Sequence, residues 1–312
     1  MLVVNLGFSF GQQFNDKSQN IHQAVTAGDL NKVRTLLEAD PTLLESKDDE
    51  NKTPLNLACA TKQTVVANFL LDKGADIHTK SYFYEYTPLL YVASYFAPFQ
   101  NSDFELIQRL IALGSDVNVQ GYNGITPLHR AAQAGNLRVA KLLLDHGADP
   151  NIYDKYRGPV GYAYSSGTPL QYAIDSPNKE MVKFLVERGA KLNRKDSRGN
   201  TELHLTALMG NTDLTKFLIE HGSEVNAMNN YNHTALYYAA KHGYRSVADV
   251  LIAAGAKKNT INESNYSKPK QLSVILKEGE AYIWYLEFGF AVKTKEHLLL
   301  FNSVKCAMMT MV

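Results

Sequence analysis

The sequence predicts an all-α repeat solenoid of about seven helix–turn–helix units, with a small β-hairpin segment near its C-terminal end. Three observations predict it. A threonine-led segment recurs at Thr53, Thr87, Thr126, Thr168, Thr201 and Thr234, with successive spacings of 34, 39, 42, 33 and 33 residues. Two short apolar stripes at helical spacing follow these threonines, and glycines punctuate them. A period near 33 means stacked supersecondary units, each burying its apolar face against its neighbours.

The unit that starts at Thr126 justifies each element in order. Thr126 can cap a helix by accepting from an orphan backbone N–H. Pro127 follows at the first helical position, where its missing N–H costs nothing. Leu128, Ala131 and Ala132 give one apolar face with small residues, so neighbouring helices can approach closely. Gly135 stops this helix, because glycine tolerates the left-handed conformation. Val139, Leu142, Leu143 and Leu144 form the apolar face of a second helix that ends at Gly147. Asp149, Pro150 and Asn151 then turn the chain toward the next unit, and Asn118, Asn193 and Asn226 are expected to stabilise the same turn elsewhere. The first unit is degenerate: Ile21, Ala24, Val25 and Gly28 match Leu128, Ala131, Ala132 and Gly135.

The segments TPLH (126–129), LLLDHGADPN (142–151), FLLDKGADI (69–77), FLVERGAKLN (184–193), FLIEHGSEVN (217–226) and VLIAAGAKKN (250–259) closely resemble the ankyrin repeat. The resemblance covers about 20–261. It implies paired helices joined by β-hairpin fingers, and a protein partner on the concave face made by finger tips and the exposed side of each first helix. It also implies that His129 and His204, in the TPLH-like step, hydrogen-bond between repeats.

Two units depart from the pattern. Six extra residues fall near Phe96–Asn101, between the helices of the third unit. A second insertion lies within Asp154–Gly167 and is rich in Tyr, Gly and Ser, a mixture suited to a recognition loop. Loops also lengthen at little thermodynamic cost, so a plain surface insertion is the competing reading. Aromatic residues mark the fingers: Phe83, Tyr84, Tyr86, Tyr122, Tyr162, Tyr164 and Tyr231, with Asn123 beside them. Tyr84, Tyr122, Tyr164 and Tyr231 recur at corresponding or neighbouring places, so stacking would align them into a stripe. Exposed first-helix positions carry Tyr95, Gln133, Ala134, Asp175, Leu208, Met209, Lys241 and His242. The expected partner-binding set is therefore the aromatic residues Phe83, Tyr84, Tyr86, Tyr95, Tyr122, Tyr162, Tyr164 and Tyr231, with Asn123, Lys241 and His242 as polar contacts.

Composition bounds the partner. A net charge of +1 over 312 residues gives no support for a nucleic-acid or acidic-membrane partner, and no apolar run is long enough to span a bilayer. Nine histidines form no metal-binding pattern; His146 and His221 precede the glycine that ends a second helix, where a partly charged ring is favourable. No phosphate-binding glycine loop and no nucleophile elbow occurs, so no catalytic residue, metal or cofactor is expected. Cys59 and Cys306 make no disulfide framework, and Cys59 is expected as a packed thiol. Residues 1–13, MLVVNLGFSFGQQ, resemble the end of a secretory signal without its positive lead. They read either as a remnant of an exported protein or as the frayed terminus of a cytoplasmic one.

The period is lost after Ile261. Residues 1–19 form an N-terminal segment, 20–261 the repeats, 262–270 a polar linker and 271–312 a β-rich tail with a hairpin or three short strands. The string EGEAYIWYLEFGFAVKTKEHLLLFN (278–302) resembles the opening strands of metallo-β-lactamase-fold hydrolases. That family's His-x-His-x-Asp-His step does not occur in this chain, so no metal ligand is carried over. The leading expectation is a non-catalytic scaffold for a protein partner. The alternatives are the targeting portion of a metallo-hydrolase whose catalytic domain is missing, and an assembly protein pairing through the C-terminal strands. A monomer is expected unless those strands pair.

Overall fold

The computed structural model describes residues 20–94, 99–154, 167–176 and 178–257, and the backbone of four strands between 282 and 309. The chain divides into two compact units, one ending at Ala190 and one beginning at Lys191. Among the described residues of the first lie five helix pairs. They are α1 (20–26) with α2 (Leu30–Ala39), α3 (Pro54–Ala60) with α4 (Thr64–Asp72), α5 (Pro88–Ala93) with α6 (Asn101–Ala112), α7 (Pro127–Gln133) with α8 (Leu137–Asp145), and α9 (Pro169–Ile174) with α10 (Glu180–Glu187). The second holds α11 (Glu202–Leu208) with α12 (Thr212–Glu220) and α13 (Ala235–Lys241) with α14 (Arg245–Ala253). Within each compact unit, first helices pack on first helices and second on second, giving two helical layers.

The first helices are only six or seven residues long in α3, α5, α7, α9, α11 and α13. Helices this short are marginal alone, so caps and packing must hold them. The threonines do the capping: Thr53 Oγ1 accepts from Asn56 N at 3.3 Å and Thr126 Oγ1 from His129 N at 3.4 Å. Packing supplies the rest, with Leu55, Leu89, Leu128 and Leu170 at 0% exposure, one beneath each cap. Gly135, Gly210 and Gly243 take φ of +66°, +69° and +72° after the first helix, and Lys62 takes the same position at +62°.

A second set of bonds runs from repeat to repeat. Asn118 Nδ2 donates to Gly147 O at 3.0 Å, and Asn118 Oδ1 accepts from Asp149 N at 2.8 Å. Asn193 and Asn226 repeat this clasp on Gly222 with Glu224 and on Gly255 with Lys257. The expected turn role of these asparagines is thus sharper in the structure: each also fastens its turn to the following unit.

The third unit distributes its extra residues in two places. Expected between the helices, they in part lengthen α6, which has 12 residues against 9 in α8. Asp103, in the added turn, is buried and accepts from Gln100 N at 2.9 Å and Thr64 Oγ1 at 3.2 Å. Residues 95–98, which include Tyr95 and part of the expected insertion, lie outside the described residues.

The C-terminal segment is a four-stranded antiparallel meander: β1 (Tyr282–Leu286), β2 (Gly289–Lys293), β3 (Leu298–Asn302) and β4 (Cys306–Met309). Tyr282 pairs with Lys293, Lys293 with Leu298 and Leu298 with Met309. The sequence led to a hairpin or three strands, and β4 is the addition. Its Cys-Ala-Met-Met stretch lacks the β-branched and aromatic residues that mark strands. The expected linker at 262–270 lies outside the described residues.

Candidate partner-binding surface

Each finger closes by one bonding pattern. The residue entering the finger donates its N–H to the carbonyl of the residue just before the helix-capping threonine: Asp48 to Lys52, Ser81 to Tyr86, Gly121 to Ile125 and Asp154 to Gly167 in the first compact unit. Asp196 to Asn200 and Asn229 to His233 do the same in the second. Asp, Asn or Ser at the entry then accepts a backbone N–H through its side chain, as when Gly167 N donates to Asp154 Oδ1 at 2.7 Å. The neck of the long insertion is therefore an ordinary finger neck. Residues 155–166, which include Tyr162 and Tyr164, lie outside the described residues.

Neighbouring fingers bond to one another through their tips. Tyr82 N donates to Glu50 O at 2.8 Å, and Tyr122 N donates to Tyr84 O at 2.7 Å. This places Tyr82, Phe83, Tyr84 and Tyr122 on one backbone-linked ridge, with exposures of 73%, 60%, 58% and 57%. Tyr82 and Phe83 meet edge to face with ring centroids 5.3 Å apart. Asn123 follows half-buried at φ +67°. Of the aromatic positions expected to align, the structure joins Tyr84 and Tyr122. Tyr82 was not among the expected residues. Its signal is the spacing of 34 between Thr53 and Thr87, one residue more than the two shortest spacings, which lengthens this finger.

Tyr86 corrects the expected exposed set, because it is only 7% exposed. It stands immediately before the cap, where its carbonyl closes the finger and its ring turns inward. The Arg130 guanidinium donates to its hydroxyl, with Nε at 3.0 Å, and lies 5.7 Å from its ring centroid. Tyr91 meets its edge at 5.3 Å and donates to Ser81 Oγ at 2.9 Å. Gly121 lies close against this ring: an added Cβ would come within 2.8 Å of Tyr86 and 2.9 Å of the Tyr84 carbonyl. Tyr86 thus belongs to the support of the ridge. Tyr172 and Tyr238 occupy the position of Tyr91 and bond Asp154 and Asn229 respectively.

Tyr231, Lys241 and His242 belong to the second compact unit and are all exposed there. Around them His233 stacks on Tyr237 at 3.6 Å, and His242 on Tyr244 at 5.9 Å.

The histidines of the TPLH-like step have structural partners. His129 Nδ1 accepts from Thr126 N at 3.2 Å, which leaves Nε2–H to donate to Gly167 O at 3.1 Å in the next unit. Burial lowers its pKa to about 4, so the ring is neutral near pH 7. His204 makes the same pair of bonds with Thr201 and His233 O. His146 and His221 bond the carbonyls of Leu142 and Phe217 near the ends of their helices. Cys59 is fully buried, and burial pushes its thiol pKa far up. Among the described residues no group of three or more His, Cys, Asp or Glu could hold a metal ion, and no helix is long and apolar enough to cross a membrane.

Comparison with known proteins decides the family. A family model described as ankyrin repeats matches in three copies, over residues 2–81, 89–196 and 193–262. The chain belongs to the ankyrin repeat family. Its ankyrin array is similar to part of a transient receptor potential cation channel subfamily A member 1 homolog of Caenorhabditis elegans, 32% identical over 47% of this chain. It is similar to a probable 26S proteasome regulatory subunit p28 of Saccharomyces cerevisiae, 28% identical over 44% of the chain. It is also similar to a B-cell lymphoma 3 protein homolog of Mus musculus, 30% identical over 35%. The matched parts span 11%, 59% and 23% of those proteins respectively. The ankyrin match ends at residue 262, and the resemblance of 278–302 to a hydrolase fold finds no support in it.

Proposed function

We propose that this ankyrin repeat protein is a non-catalytic scaffold that binds a protein partner on its concave ankyrin face. The observation that carries the reading is the ridge of Tyr82, Phe83, Tyr84 and Tyr122, exposed on fingers that are bonded to each other and braced by buried Tyr86 and half-buried Arg130. Exposed aromatic rings on a rigid support suit binding hot spots, because little ordering entropy remains to be lost on docking. The family supports a protein partner, since ankyrin arrays recur in relatives as different as a probable proteasome regulatory subunit and a B-cell lymphoma 3 homolog. Tyr231, Lys241 and His242 form a second candidate contact set in the other compact unit.

The test is an affinity capture from the native cell with the full chain and with the double variant Tyr84→Ala/Tyr122→Ala, read by quantitative mass spectrometry. Loss of a reproducibly captured protein, with an unchanged melting temperature, is expected. Equal recovery of that protein by both chains overturns the ridge as the binding surface.

A further inference from the structure

We propose that the ridge of the first compact unit takes an arginine-bearing segment of its partner; this rests on the reading of the ridge as the binding surface. The argument is one of charge and ring chemistry. Exposed carboxylates flank the rings: Asp49 beside the Glu50–Tyr82 bond, and Glu85 directly after Tyr84. The nearby lysines are directed elsewhere. Lys52 Nζ lies 2.6 Å from Glu50 Oε2, and Lys80 Nζ donates to Gln120 O at 2.8 Å. Lys47 precedes the finger neck that opens at Asp48. A guanidinium laid on a tyrosine face with a carboxylate at its edge gains from both the ring quadrupole and the ion pair. The fold uses the same chemistry under the ridge, where Arg130 lies over Tyr86 and donates to its hydroxyl.

Glu85 adds a second observation. It sits at φ +48°, two residues before Thr87, where Asn51, Gly124, Gly199 and Asn232 stand in other fingers at φ of +60°, +77°, +77° and +58°. Glycine and asparagine take this conformation readily, whereas glutamate is strained in it. A carboxylate is thus kept at the aromatic tip against a backbone preference. The finger tips of the second compact unit carry no carboxylate at the matching places: Ser197, Arg198 and Gly199 form one, and Asn230, Tyr231 and Asn232 the other.

The experiment measures binding of three fluorescein-labelled 15-residue peptides to the full chain by anisotropy. In a Gly/Ser/Pro background every third residue is Arg, Lys or Glu, and a 15-nucleotide oligouridine is the fourth probe. The expected order is Arg over Lys over Glu, with Arg and Glu separated by about tenfold or more. Asp49→Asn/Glu85→Gln should weaken the Arg peptide severalfold, and Asp213→Asn, which removes an exposed carboxylate of α12, should leave it unchanged. Glu85→Gly should raise the melting temperature while lowering Arg-peptide affinity, a combination that a merely structural role would not give. Equal binding of the Arg and Glu peptides, no binding of any peptide, tighter binding of the oligouridine, or indifference to the carboxylate variants overturns the proposal. If partner capture still depends on Tyr84 and Tyr122 in that case, the ridge stands and only its arginine preference falls.

Discussion

Asn118 holds the turn of the following repeat by two bonds at once, donating to the Gly147 carbonyl at 3.0 Å and accepting from the Asp149 amide at 2.8 Å. The clasp ties the turn of one unit to the turn of the next beside the packing of their helices. Asn118→Ala removes both bonds and should lower stability by about 1–2 kcal/mol. Asn118→Asp keeps the acceptor and loses the donor, so it should fall between. Urea titration followed by circular dichroism measures both. Identical midpoints for the three proteins would show that water replaces the clasp at no cost.

Lys62 sits at φ +62°, where Gly135, Gly210 and Gly243 end the corresponding helices. A left-handed non-glycine residue costs about 1–2 kcal/mol, offset in part by the greater freedom of glycine in the unfolded chain. Lys62→Gly should therefore stabilise the protein by about 0.5–1 kcal/mol. The side chain is exposed, so its removal uncovers little apolar surface. A melting temperature lower than that of the parent would disprove it.

Glu202 follows a capping threonine where other units carry Pro54, Pro88, Pro127 and Pro169. It is fully buried, its Oε2 accepts from Asn193 N at 2.9 Å, and its Oε1 has no hydrogen-bond partner. Burial raises the carboxyl pKa from 4.5 to about 7, which means the folded state favours the protonated form. The stabilisation linked to this proton is fully present below about pH 4.5 and is lost as pH rises through about 7, a change on the order of 3 kcal/mol. Glu202→Gln should flatten this part of the profile and stabilise α11 and α12 at pH 8. Hydrogen exchange of those helices at pH 5 and pH 8, corrected for intrinsic rates, reads it. Parallel profiles for parent and variant would refute the assignment.

Local chemistry made much of the fold legible. Thr126, Pro127 and Gly135 each do a job that depends on a few neighbouring residues, and the spacing of such residues gave the helices. The bond of His129 to the next repeat was an expectation from the ankyrin resemblance, and the asparagines were legible as turn residues but not as clasps, because their partners lie about 30 residues on. The inward turn of Tyr86 was not legible, since it depends on Arg130, 44 residues on, reaching back to its hydroxyl. The added turn of α6 was hidden as well: Asp103 marks a helix start only once Gln100 and Thr64 are beside it. Tyr82 was visible in the spacing of 34, but a single extra residue is easily passed over next to insertions of six and more.

The neck formed by Asp154 and Gly167 has a consequence for how this molecule can change. Because the two residues meet as the ends of every shorter finger do, the stack registers only that the finger closes. A finger of any length that starts at the first residue and ends at the second can be closed by the same pair of bonds, and the closure entropy of a longer loop rises only slowly. The array is a rack whose socket is defined by its rim.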